Sequence, residues 1–156
     1  MDLNARDIMQ TSVITVTPET PLIDVHRLFT EDEITGAPVV DDQDRLVGVI
    51  STVDLIRAVG TEHESVAAEP TYFRDQLPYG TPDWGTWPEN FQDRLGEIRV
   101  EDAMTEGAIT VAPDAPVSEV ARTMRERRIH RVLVVEGSAL VGVITAFDLV
   151  ALLEKK

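Results

Sequence analysis

The chain has 156 residues with 28 acidic and 14 basic side chains, no cysteine and 43% hydrophobic residues, which fits a globular protein able to bury a core without disulfides. The net charge of −14 speaks against a broad grip on nucleic acid or an anionic membrane, since those partners reward Lys and Arg, although a small anion can still bind locally. The absence of cysteine excludes disulfide frameworks, thiolate zinc sites and cysteine nucleophiles.

The first residues carry neither a basic leader nor an apolar signal core, and no apolar run approaches the roughly 18 residues of a membrane span, so the expected compartment is the cytoplasm. A short helical stretch is expected around Asp7-Ile8-Met9. The β-rich run Ile14-Thr15-Val16 follows and stops at Pro18. Thr20 is the expected N-cap of the next helix, with Pro21 in its first position and Leu22, Val25, Leu28 and Phe29 on one face. Ala37-Pro38-Val39-Val40 and Leu46-Val47-Gly48-Val49-Ile50, joined by a polar turn, read as a β-hairpin, and a last helix is expected from Ser51 through Leu55, Ile56 and Val59.

Residues 61–98 break this pattern with prolines, glycines and acidic residues, and helix and strand signals fade. Six of the eight aromatic residues nevertheless fall there: Tyr72, Phe73, Tyr79, Trp84, Trp87 and Phe91. A purely flexible linker is poor in aromatics, so this insertion is expected to pack on its own chain or on a partner.

Beyond the insertion the pattern repeats. Asp7 to Val40 lies on Asp102 to Val135 at a constant offset of 95, with 13 of 34 pairs identical, and Leu46-Val47-Gly48-Val49-Ile50 recurs letter for letter as Leu140-Val141-Gly142-Val143-Ile144. The second copy supplies the strand run Ile109-Thr110-Val111, a helix with Val117, Val120 and Met124, a second hairpin, and a last helix from Thr145 with Leu149, Val150 and Leu153. The fold class is therefore α+β, two tandem β-α-β-β-α repeats at 1–60 and 99–156 around the insertion.

The ordered set, an opening Asp-x-Met, a strand ended by proline, and the closing Gly48-Val49-Ile50-Ser51-Thr52-Val53-Asp54 and Gly142-Val143-Ile144-Thr145-Ala146-Phe147-Asp148, resembles a pair of CBS domains, also called a Bateman module. The resemblance implies a pseudo-two-fold pair of repeats, association into a homodimer, and binding of an adenosine-containing ligand such as AMP, ADP, ATP or S-adenosylmethionine between the repeats. Within it, Asp54 and Asp148 suit the two ribose hydroxyls, while Ser51-x-x-Asp54 and Thr145-x-x-Asp148 also read as capping boxes. The helix starts at Ser51, Thr52, Thr145 and Ala146 could favour a phosphate. The resemblance further implies pocket roles for Thr35, Gly36 and Ala37 and for His130, Arg131 and Val132, and base contacts for Ile14 and Ile109, whose other reading is core burial.

His130 and Arg131 can meet phosphate oxygens where Thr35 and Gly36 bring no charge, so the second copy is the expected phosphate-facing half. Arg122, Arg125, Arg127 and Arg128 are nearby but also read as a solvated helix face. Copy two has Leu133 in place of Pro38, which opens the question of whether both clefts bind equally. No histidine spacing suits a metal or a catalytic triad, and Glu62-His63-Glu64 reads as a solvated loop. The expected function is thus a regulatory, non-catalytic module that needs no cofactor, binds an adenine nucleotide with or without Mg²⁺, and acts on a separate partner through the aromatic insertion. The alternatives are a dimerisation scaffold without a ligand, an S-adenosylmethionine sensor and a small enzyme.

Overall fold

The computed structural model describes residues 2–59, 71–73 and 91–154. Tyr79, Trp84, Trp87 and Glu62-His63-Glu64 lie outside the described residues. In chain order the elements are α1 (Ala5–Ile8), α2 (Leu22–Asp32), β1 (Gly36–Val40), β2 (Leu46–Ser51), α3 (Thr52–Val59), a 3-10 turn (Thr71–Phe73), α4 (Phe91–Glu97), α5 (Val100–Ala103), β3 (Thr110–Val111), α6 (Val117–Arg127), β4 (Arg131–Glu136), β5 (Ala139–Thr145) and α7 (Ala146–Ala151).

Both hairpins form as the alternation requires, β1 antiparallel to β2 and β4 antiparallel to β5, each with a register shift near its turn. The amphipathic helices bury Leu22, Val25 and Phe29 in the first repeat and Val120 and Met124 in the second. Their starts differ by one residue from expectation. Pro21 and Pro116, in extended conformation, occupy the N-cap positions, and the Thr20 hydroxyl turns back to lie 2.8 Å from Thr17 Oγ1 and to accept from the Thr17 amide. That local turn takes the hydroxyl that would have capped the helix.

The expected strand Ile14-Thr15-Val16 is reduced to a single parallel bridge from Val16 to Val39, whereas Thr110–Val111 forms β3 alongside β4. Proline accounts for the difference. In the second repeat the Leu133 amide donates to the Ile109 carbonyl at 3.2 Å; the residue in that place in the first repeat is Pro38, which has no N–H to donate. The ladder is lost there, and Ile14 is left 42% exposed while Ile109 is 6% exposed in the core.

The repeats exchange their opening segments. Residues 4–10, which begin the first repeat in sequence, pack on the second: Ala5 N–H donates to Ala115 O, Arg6 N–H to Pro113 O, and Gln10 and Val143 exchange both backbone bonds. Residues 99–105 return the arrangement on the first repeat, with Val100 N–H on Thr20 O, Glu101 N–H on Pro18 O, and Thr105 and Val49 exchanging both bonds. Each bond has its counterpart at the sequence offset of the duplication, which is the expected pseudo-two-fold relation. The hairpin turns close the same axis, Leu46 N–H donating to Ser138 O and Leu140 N–H to Asp44 O. The two cores are correspondingly mixed: Ala5 is buried with Val132, Leu133 and Ile144, and Val100 with Leu22, Val39 and Leu55.

Within the insertion, Tyr72 and Phe73 are buried against the second repeat's core, and α4 buries Leu95 with α2 and α3. Helix α4 was not expected, because two apolar positions, Phe91 and Leu95, in a seven-residue helix that includes Gly96 are too few for a periodic signal. On the second repeat no described helix takes the equivalent place: Phe147, Val150 and Leu153 of the last helical stretch are exposed.

Candidate functional site

Ser51 and Thr145 are the last residues of β2 and β5, and the chain turns there into α3 and α7. Both capping boxes form. Asp54 Oδ2 accepts from the Ser51 amide at 2.8 Å and from its hydroxyl at 3.2 Å, and the Asp54 amide donates back to Ser51 Oγ. Asp148 Oδ2 accepts from the Thr145 amide at 2.8 Å and its hydroxyl at 3.1 Å, with the reciprocal bond to Thr145 Oγ1. Because these hydroxyls are caps, the helices begin at Thr52 and Ala146, one residue beyond the expected start.

The other oxygen of each carboxylate reaches across the seam between repeats. Asp54 Oδ1 accepts from Thr105 Oγ1 at 3.2 Å and lies 3.4 Å from Arg57; Asp148 Oδ1 accepts from Gln10 Nε2 at 3.0 Å. Gln10 and Thr105 stand at matching places of the two copies, one after each Asp-x-Met, and were not singled out from sequence. The carboxylates therefore sit where one repeat's helix start meets the other's opening segment. Their environments differ. Asp54 is 5% exposed, whereas Asp148 is half-buried and, among the described residues, its seam-facing oxygen accepts from an exposed glutamine side chain.

Burial raises the Asp54 pKa above the ordinary 3.8, outweighing the bonds from Ser51, the charge of Arg57 and the Thr105 hydroxyl, all of which lower it. A carboxyl whose folded pKa exceeds its unfolded one adds stability that is full below about pH 3.8 and is lost as pH rises through the folded value. Asp54→Asn removes that contribution. In urea titrations from pH 3.5 to 6.5 the variant is expected to gain on the wild type as pH rises; a difference that stays flat or falls would contradict the assignment.

The remaining nominated residues cluster at the same end of the hairpins. Thr35 is exposed, and its carbonyl accepts from the Thr52 amide at 2.9 Å; in the other repeat the His130 carbonyl accepts from the Ala146 amide at 2.8 Å. Gly36 pairs with Ser51 and Arg131 with Thr145 in the hairpin registers, so His130 and Arg131 stand beside the helix start that carries Asp148. Ala37 and Val132 are fully buried in the two cores. Arg122, Arg125, Arg127 and Arg128 are exposed. Tyr72 and Phe73, whose place sequence reasoning did not locate, lie between the two hairpin starts: the Phe73 carbonyl accepts from the His130 amide at 2.7 Å, and the Arg131 guanidinium carbon lies 4.7 Å from the Tyr72 ring centre.

Two matching cavities open between the repeats toward the hairpin turns. One, of about 190 Å³, is lined by Thr11, Val13, Thr15, Val40, Asp44, Leu140 and Val141. The other, of about 220 Å³, has Ala108, Thr110, Val135, Ser138, Leu46, Val47 and Gly48 among its lining residues. None of the nominated side chains lines either, but Val13 and Ala108 are the chain neighbours of Ile14 and Ile109. Among the described residues there is no cluster of His, Asp or Glu that could hold a metal, and no helix is long and apolar enough to cross a membrane.

The profile of the CBS domain matches residues 5–61 and 100–155. An uncharacterised protein of Methanocaldococcus jannaschii is 32% identical over 151 residues, covering 93% of this chain and 88% of its own. The chloroplastic protein CBSX2 of Arabidopsis thaliana is 29% identical over 139 residues, 86% of this chain and 56% of its own. A crystal structure of CBSX2 in complex with AMP superimposes with a TM-score of 0.67 at 26% identity, covering 98% of both chains. The CBS domain pair of protein MJ0100, solved with 5′-methylthioadenosine and S-adenosylmethionine, shares the fold at a TM-score of 0.64 and 22% identity over 99% of this chain and 98% of that one.

Proposed function

The chain belongs to the CBS domain family, and on that premise we propose that it is a regulatory, non-catalytic module that binds an adenine nucleotide between its repeats and acts on a separate partner protein in the cytoplasm. The observation that carries this reading is the placement of both Ser/Thr-x-x-Asp carboxylates on the seam between repeats, each bonded to the opposite repeat's opening segment. A carboxylate held there can accept from both ribose hydroxyls. AMP in the complex of CBSX2, a relative of similar extent in the aligned region, supports the ligand class.

We assign the ligand to the Asp148 cleft. Among the described residues an exposed amide is what must leave Asp148 Oδ1, Ile14 beside this cleft's cavity is 42% exposed and open to a base, and Arg131 stands across the hairpin from Thr145, where it can take a phosphate bidentately. In the Asp54 cleft the carboxylate and Ile109 are both buried. Melting curves with AMP, ADP, ATP and S-adenosylmethionine, each with and without Mg²⁺, test the assignment of class: an adenine nucleotide is expected to raise the melting temperature more than the sulfonium ligand. A larger shift with S-adenosylmethionine would replace the nucleotide reading.

The homodimer reading rests on the apolar face of α7. Phe147 is 84% exposed, and Val150 and Leu153 extend the same face. Phe147→Asp is expected to convert a dimer to a monomer in sedimentation velocity. A variant that sediments as the wild type does would remove this face from the interface.

A further inference from the structure

Tyr72, in the Thr71–Phe73 turn, sits on the side chain that the proposed function assigns to phosphate. Tyr72 is 5% exposed, with the Arg131 guanidinium over its ring, and burial pushes its phenol pKa up while the Arg131 charge opposes the shift. Phe73 is fully buried, meets the Tyr72 ring edge-on at 5.0 Å, and holds the His130 amide through its carbonyl. On the far side the ring lies against the start of β1 so closely that a Cβ on Gly36 would come within 2.6 Å of Tyr72 Cδ1. The glycine leaves the space the tyrosine fills. The turn thus spans from one hairpin start to the other and takes the flat face of the Arg131 guanidinium.

A phosphate and this tyrosine want the same guanidinium. A phosphate needs the N–H fork directed at its oxygens, whereas Tyr72 engages the cation through the face of its ring. Ribose and base contacts at Asp148 and Ile14 make no such demand. Resting on the reading of the Asp148 cleft as an adenosine site, we propose that Tyr72 is a built-in competitor for Arg131. A nucleotide engages Arg131 only by lifting the Tyr72–Phe73 turn, while a nucleoside binds with the turn in place. The insertion then reports whether the bound ligand carries phosphate, and the apparent affinity for nucleotide is reduced by the fraction of molecules whose turn is closed.

The test is calorimetric titration of the full chain with AMP and with adenosine. Tyr72→Leu, which keeps an apolar filler but removes ring and hydroxyl, is expected to bind AMP about tenfold more tightly than wild type, within the range of a partly desolvated cation–π contact, with adenosine affinity unchanged. Tyr72→Phe keeps the ring and is expected to lie between the two. A second readout uses the unaltered protein: AMP, but not adenosine, is expected to speed hydrogen exchange at the His130 amide, whose partner is the Phe73 carbonyl. The proposal is overturned if Tyr72→Leu weakens AMP binding, changes AMP and adenosine alike or changes neither, or if AMP protects the His130 amide. Failure of wild type and both variants to bind either compound would instead overturn the adenosine-site reading, and the competition with it.

Discussion

Asp148→Ala is expected to weaken AMP binding by roughly 10- to 100-fold, the loss of one or two hydrogen bonds from ribose hydroxyls to a charged acceptor at about 1.4 kcal/mol per tenfold. Its structural role is smaller: the residue is half-buried at the start of α7, and losing its half of the capping box costs about 1 kcal/mol. Asp54→Ala should show the opposite balance. Its carboxylate satisfies the Ser51 amide and hydroxyl and the Thr105 hydroxyl in a buried setting. Leaving those groups unpaired is expected to cost about 2–4 kcal/mol of stability, with AMP affinity of the folded protein changed less than threefold. Denaturant midpoints and calorimetric affinities for the two variants separate the roles. Equal loss of affinity in both would mean that both clefts bind, and loss only in Asp54→Ala would move the ligand to the other cleft.

Alanine at Gly48 or Gly142 is expected to destabilise the fold by about 1–3 kcal/mol each, because both sites sit under the exchanged opening segments. A Cβ on Gly142 would lie 2.6 Å from Met9 Sδ and 2.9 Å from the Gln10 carbonyl oxygen; one on Gly48 would lie 2.9 Å from the Thr105 carbonyl oxygen and 3.0 Å from Met104 Sδ. A methionine can turn aside, but the carbonyls are fixed by their backbone bonds to Val143 and Val49. Relief therefore requires moving the segment that bears Gln10 or Thr105, the residues that touch the two carboxylates. Gly142→Ala should consequently lower AMP affinity as well as stability. Gly96→Ala is the control, since no described residue lies within 4 Å of its Cβ: in helix α4 it should be neutral or stabilising by up to about 1 kcal/mol. An unchanged denaturation midpoint in Gly48→Ala or Gly142→Ala would show that the seam yields freely.

The elements that carry a periodic or a repeated signal were legible in the chain. The hairpins, the amphipathic helices and both capping boxes follow from alternation, helical spacing and a hydroxyl three residues before a carboxylate. The duplication carries the pseudo-two-fold relation of the family, but a register between two similar copies does not say which copy's opening segment packs on which repeat. The exchange that places Gln10 beside Asp148 was invisible for that reason. Pro38 stood out as a departure between copies, yet its consequence, the lost ladder that exposes Ile14, needs the strand partner to be known. Tyr72 and Phe73 were legible as residues that must pack. Their destination was not, because a three-residue turn has no period and the fitting space is made by Gly36, remote in sequence.

The measurement that bears most directly on the central claim is a crystal structure of the protein with AMP. The ribose is expected on Asp148, between the Gln10 segment and the start of α7, with the phosphate on Arg131 and the Tyr72–Phe73 turn lifted from it. AMP bound at Asp54, or outside the seam between the repeats, would contradict it.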